Sequence, residues 1–75
     1  MNRETHFNKE VRAEMRKIIN AIQKEGRAKF KLEQMIGNVD KALDVLLNRE
    51  IIKMSSAKGK YTKFKFTEKG RRKYA

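Results

Sequence analysis

The chain has 75 residues and a formal net charge of +11, from 20 Lys and Arg against 9 Asp and Glu. That length gives a single domain with one small core, which removes about 60% of its unfolded surface from water. An apolar content of 39% excludes a disordered chain, even beside 39% charged residues. The absence of cysteine excludes disulfides and cysteine-held zinc. No apolar run is long enough for a signal-peptide core or a membrane span, so the expected location is a reducing cytoplasm.

Residues 1–7 are expected to form a mobile N-terminus. A first helix is predicted from Asn8 to Lys24, where Val11, Met15, Ile18, Ile19 and Ile22 recur at helical spacing as one apolar stripe. Asn8 is placed to cap it, Phe7 to pack on its first turn, and Gly26 to end it. Arg27 to Phe30 reads as a connector with room for one extended rung. A short second helix is predicted from Lys31 to Ile36, with Leu32, Met35 and Ile36 facing inward. Gly37-Asn38 then makes a tight turn, since both residue types accept positive φ. A third helix follows from Val39 to Arg49. It is expected to bury Val39, Ala42, Leu43, Leu46 and Leu47 and to expose Asp40, Lys41, Asp44, Val45 and Asn48.

Beyond Glu50, Ile51-Ile52-Lys53-Met54 reads as a β-branched strand, and Ala57-Lys58-Gly59 reverses the chain. In the return strand Thr62, Phe64 and Phe66 share one face; Tyr61, Lys63 and Lys65 share the other. The Phe face must pack on the helices, because a two-stranded hairpin is not stable alone. Thr67 caps a last turn that begins at Glu68, and Tyr74 is placed to close the core. From Lys53 onward there are nine Lys or Arg and one acid, Glu68, a balance of +8. Most of the excess charge therefore sits on this hairpin and tail.

Three stretches in this order resemble the winged helix-turn-helix domain, from about Val11 to Tyr74. Gly37 sits in a turn with Leu32 and Ile36 before it and Leu43 and Leu46 after it. Leu46-Leu47-Asn48-Arg49-Glu50-Ile51-Ile52 is similar to the "Leu-x-x-x-Gly-Leu-Ile" junction between recognition helix and wing. Phe64-Lys65-Phe66-Thr67-Glu68-Lys69-Gly70-Arg71 resembles the "Leu-Thr-x-Lys-Gly-Arg" close of the wing in small bacterial and archaeal regulators, including the multiple-antibiotic-resistance and phenolic-acid regulator families. Two positions depart from the pattern: Glu33 stands where a small residue is usual, and Glu50 where glycine is usual. The resemblance implies an α+β fold, a three-helix winged helix-turn-helix with a C-terminal two-stranded β-hairpin wing. It also implies a transcriptional regulator that binds double-stranded DNA at the nucleoid, with the third helix on base edges.

The residues themselves offer each reading with an alternative. Lys58, Lys60, Lys63 and Lys65, with Ser55 and Ser56, are candidates for phosphate contact, the reading a cationic, glycine-containing loop favours; the alternative is that the lysines guard an exposed strand edge against aggregation. On the third helix Asn38 and Asn48 suit adenine, Lys41 suits guanine or phosphate, and Asp44 accepts from cytosine N4. Yet Leu32 to Ile52 holds Lys41 and Arg49 against Glu33, Asp40, Asp44 and Glu50, a balance of −2 that is poor for a helix in a DNA groove and suits a solvated face or a protein partner. Lys29, Lys31 and Gln34 fall at the start of the second helix, where backbone N–H groups attract phosphate. Arg71 and Arg72 either grip phosphate or belong to a frayed end. Tyr61, on the wet face, is the candidate for stacking a base.

His6 is the single histidine, so no metal cluster, cofactor motif or catalytic set is expected, nor a small-molecule ligand. Three classes of function remain: a DNA-binding regulator, a protein-interaction module docking through the third helix, and an RNA or ribosome binder. A membrane-surface helix fits poorly, because acids interrupt the polar face of the first helix.

Overall fold

The structure, a computed structural model, describes residues 9–74. The mobile N-terminus expected over residues 1–7, the Asn8 cap, the Phe7 contact and His6 lie outside the described residues. Helix α1 spans Lys9–Glu25 and buries Val11, Ile18, Ile19 and Ile22, the predicted stripe. Gly26, at φ 86°, ends it and donates its N–H to the Ile22 carbonyl at 2.7 Å. Strand β1, Ala28–Lys31, follows directly and runs into a 3-10 turn, Leu32–Gln34. Helix α2 is Gly37–Asn48, β2 is Ile52–Ser56, β3 is Tyr61–Phe66 and α3 is Glu68–Tyr74.

The expected two-stranded hairpin is part of a three-stranded antiparallel sheet of order β1-β3-β2. The connector after α1 supplies the third strand: Ala28 pairs with Phe64, Lys29 with Lys63, Phe30 with Thr62 and Lys31 with Tyr61. Its own alternation explains this, for Ala28 and Phe30 point to the core while Lys29 and Lys31 stay exposed. The predicted second helix is reduced to the single 3-10 turn. Leu32 and Ile36, expected inside, are 79% and 68% exposed, and only Met35 of that trio packs on the core. Three residues after a strand leave no room for a helical stripe.

Helix α2 begins at Gly37 rather than after it, with Gly37 at φ 61°. Ala42, Leu43 and Leu46 are buried and Val39 packs at the margin, whereas Leu47 is exposed and Val45 half-buried, the reverse of the expected order. One core joins α1, α2 and the inner sheet face through Leu43, Leu46, Ile52, Phe64 and Phe66. Phe30 meets Phe64 edge-on with centroids 6.2 Å apart. Met54 is in register with Phe64 yet 56% exposed, which marks where the hairpin runs past the helical cover.

Two joints fix the hairpin on the helices. At the end of α2 the Glu50 N–H donates to the Leu47 carbonyl and the Ile51 N–H to the Leu46 carbonyl, each at 3.0 Å. This is a Schellman cap with Glu50 at φ 60° in the left-handed position that glycine favours. At the other end of the hairpin, the Thr67 N–H donates to the Ile51 carbonyl at 2.9 Å, and its hydroxyl donates to the Glu50 carbonyl. The Gly70 N–H donates to the Thr67 hydroxyl oxygen at 3.0 Å, as the predicted cap requires. Gly70 is buried against Ile51, where an added Cβ would lie 2.0 Å from the carbonyl oxygen. Tyr74 closes the core by stacking on Phe66, centroids 6.0 Å apart.

Replacing Gly70 by alanine forces α3 off the Ile51 backbone and is expected to lower stability by about 1–3 kcal/mol in urea denaturation. Glu50→Gly relieves the left-handed backbone and is expected to raise stability by about 0.5–1 kcal/mol, the relief exceeding the entropy of the added glycine. An unchanged Gly70→Ala midpoint would contradict the close approach.

Candidate functional site

Pairing β1 onto β3 has a chemical result. In the antiparallel register Lys29 stands opposite Lys63, Lys53 opposite Lys65, and Lys31 opposite Tyr61. Residues directly opposite share a face, so these six side chains lie together on the side of the sheet away from the helices. The three strands read AKFK, IKMSS and YTKFKF, without one acid. Among the described residues the lysines of this face form no ion pair with a carboxylate; the pairs seen are Lys17 with Glu14 at 3.6 Å and Arg72 with Glu68 at 3.5 Å. Adjacent strands lie about 4.8 Å apart, so five ammonium groups share a patch a few strand-widths across.

Tyr61 anchors part of it. The Lys29 Nζ lies 5.2 Å from the ring centroid and the Lys31 Nζ 6.0 Å, both within cation–π range. The ring is half-buried under these side chains. At the hairpin end a bulge between Met54 and Ser56 breaks the register. The Ser55 hydroxyl donates to the Lys63 carbonyl at 3.2 Å, and the Lys58 N–H reaches the Ser56 hydroxyl oxygen at 3.5 Å. Lys58 and Lys60 stand exposed on the loop, with Gly59 at φ 71° making the reversal. Arg71 lies beside Lys65 along an open groove floored by Ile22, Phe66 and Tyr74, and Arg71 and Arg72 flank Lys53 on the other side.

The structure therefore brings together Lys29, Lys31, Tyr61 and Lys63, and sets Arg71 and Arg72 beside Lys65 and Lys53 toward the other end of β3. Lys29 and Lys31 lie on β1, and Lys31 is also the N-cap of the 3-10 turn that remains of the expected helix; with its N–H taken by Gln34, phosphate affinity would come from the lysine charges themselves. Gln34, expected beside them, is turned to local use, its Oε1 accepting the Lys31 N–H at 2.7 Å. Ser55 likewise spends its hydroxyl proton on the hairpin, and Ser56 shapes the loop. Arg71 and Arg72 belong to a formed helix rather than a frayed end.

Lys53 was not among the residues singled out from the sequence. Its signal is the alternation Ile52-Lys53, buried then exposed, once β2 is known to pair beside Lys65. The α2 set lies elsewhere. Lys41, Asp44 and Asn48 are exposed and spaced to share a helical stripe, with Asn38 half-buried at its start. That stripe belongs to the helical layer, which covers the opposite side of the sheet from the lysines. With Asp40 and Asp44 against Lys41, α2 carries a balance of −1.

Among the described residues no group of three His, Cys, Asp or Glu is placed to hold a metal ion, and no helix is long and apolar enough to cross a membrane.

Like charges directly opposite one another oppose folding. Lys63→Gln is expected to raise stability by about 0.2–1 kcal/mol at low ionic strength, with the gain fading as salt screens the Lys29 and Lys63 ammonium groups. An equal gain at both ionic strengths would show that repulsion is not its source. Compared with protein-family models, curated proteins and solved structures, the chain finds no match.

Proposed function

We propose that this chain is a small winged-helix protein that binds double-stranded DNA, held by its phosphates, and acts as a transcriptional regulator at the nucleoid. The observation that carries this reading is the acid-free sheet face, where Lys29, Lys31, Lys53, Lys63 and Lys65 converge from three separate segments. Surface lysines scattered for solubility need no such convergence, and directly opposed pairs are unfavourable unless a polyanion neutralises them. Lys58 and Lys60 on the projecting hairpin extend the same charge beyond the helices. The order of helix, strand, 3-10 turn, helix and hairpin supports the winged-helix resemblance. So do Glu50, left-handed where the family pattern has glycine, and Gly70, forced to be glycine by Ile51.

In this reading phosphates are held by the sheet face and loop, and the polar stripe of α2, on the other side of the sheet, stays clear of that duplex. Asp40 and Asp44, both exposed, favour a second reading in which α2 docks a basic protein surface. Reversing both charges separates the two: duplex binding is kept in the first, and the partner is lost in the second.

Anisotropy of a labelled duplex, followed from low to moderate salt, tests the main reading. The logarithm of affinity is expected to fall linearly with that of salt, by about 0.9 per phosphate contact. Replacing Lys63 and Lys65 by glutamine should flatten the slope by about 1 for each lysine. Salt-insensitive binding, or an unchanged slope in the double variant, defeats the phosphate model. Displacement of the duplex by structured RNA would move the partner to RNA.

A further inference from the structure

We infer that Tyr61 is a stacking platform for an unpaired base, so that the preferred partner is DNA carrying a single-stranded stretch beside its duplex. This rests on the phosphate-binding reading and names the partner of the same face more closely. Of the described aromatic residues, Phe30, Phe64, Phe66 and Tyr74 all pack on or within the core. Tyr61 alone among them stands on the opposite face of the sheet, half-buried among lysines where no helix lies. Its ring contacts there are the Lys29 and Lys31 ammonium groups, which a stacking base would displace from the ring.

Its position also limits what it can meet. Tyr61 begins β3, the central strand, and has Lys31 of β1 directly beside it. Its ring stands on a lysine-lined sheet face, and the paired bases of a duplex offer it no free face, since each is stacked on its neighbours. A base reaches Tyr61 only if it is unpaired and free to swing out. The surrounding charge then suits it: Lys29, Lys31 and Lys63 are placed to hold the phosphates on either side of a stacked nucleotide.

The test compares two labelled probes that carry the same duplex. One has a short oligothymidine tail, and the other an abasic tail of equal length, so the phosphates match and only the bases differ. The full chain is expected to bind the thymidine tail at least about fivefold more tightly than the abasic tail. Tyr61→Phe should keep that ratio, and Tyr61→Leu should bring it to one. The chain has two tyrosines and no tryptophan, so quenching of tyrosine emission by the thymidine tail, lost in Tyr61→Leu, reports the stacking directly. A ratio of one in the unaltered chain overturns the platform, as does a ratio that survives Tyr61→Leu. Salt-sensitive binding of both probes with a ratio of one leaves the phosphate reading standing and removes only the base. Failure of both probes to bind at low salt overturns the two together.

Discussion

The peptide unit of Ile51 is where the parts of this molecule are joined. Its N–H closes the end of α2 on Leu46, and its carbonyl receives the N–H of Thr67 from beyond β3. Gly70 of α3 lies against the same carbonyl without a side chain. One residue thus ends the helix, starts the hairpin, receives the chain as it returns and seats the last helix. Its own side chain is buried, as are Leu46 and Ile52 on either side. The angle at which the hairpin leaves the helices is set here, and with it the direction in which the lysine face points.

Burial elsewhere follows from that angle. With β3 held at Thr67, Phe64 and Phe66 turn to α1 and α2, and period-two alternation sends Tyr61, Lys63 and Lys65 to the other side. Ala28 is small enough to let β1 approach alongside Phe64, and Phe30 fills the space beyond it edge-on. The charged face is therefore the geometric complement of the core. No residue on it needs to be chosen against the fold, except that opposed lysines weaken the sheet they decorate.

Much of this was legible because the relevant signals are local. The stripe of α1, its glycine stop, the facing of Phe64 and Phe66, the Thr67 cap and the packing of Tyr74 all depend on neighbours a few residues away. What escaped depends on partners far along the chain. Ala28-Lys29-Phe30-Lys31 is too short to declare itself a strand until Tyr61 to Phe64 are known to lie beside it. The spacing of Leu32 and Ile36 suits a buried helical pair, but apolar spacing says nothing of whether a partner surface is present. The grouping of Lys29 with Lys63 and of Lys53 with Lys65 follows from sheet register, so the individual cations were visible and their assembly was not. Ser55 and Gln34 were plausible ligands by type; local hydrogen bonds fix them in other work.

The strand order has a consequence for synthesis. The central strand, β3, is the last of the three to be made, and β1 and β2 both pair only with it. During elongation the first two strands can exist only as unpaired segments, and no sheet hydrogen bond forms until residues near Tyr61 emerge. The local hairpin then closes quickly across its short loop, whereas β1 must be gathered from some thirty residues upstream at a greater cost in chain entropy. Nascent or truncated chains that stop before β3 hold their apolar helices without the sheet that covers them. The folded state is therefore reached nearly all at once, when β3 has been made, and not by growth from the N-terminus.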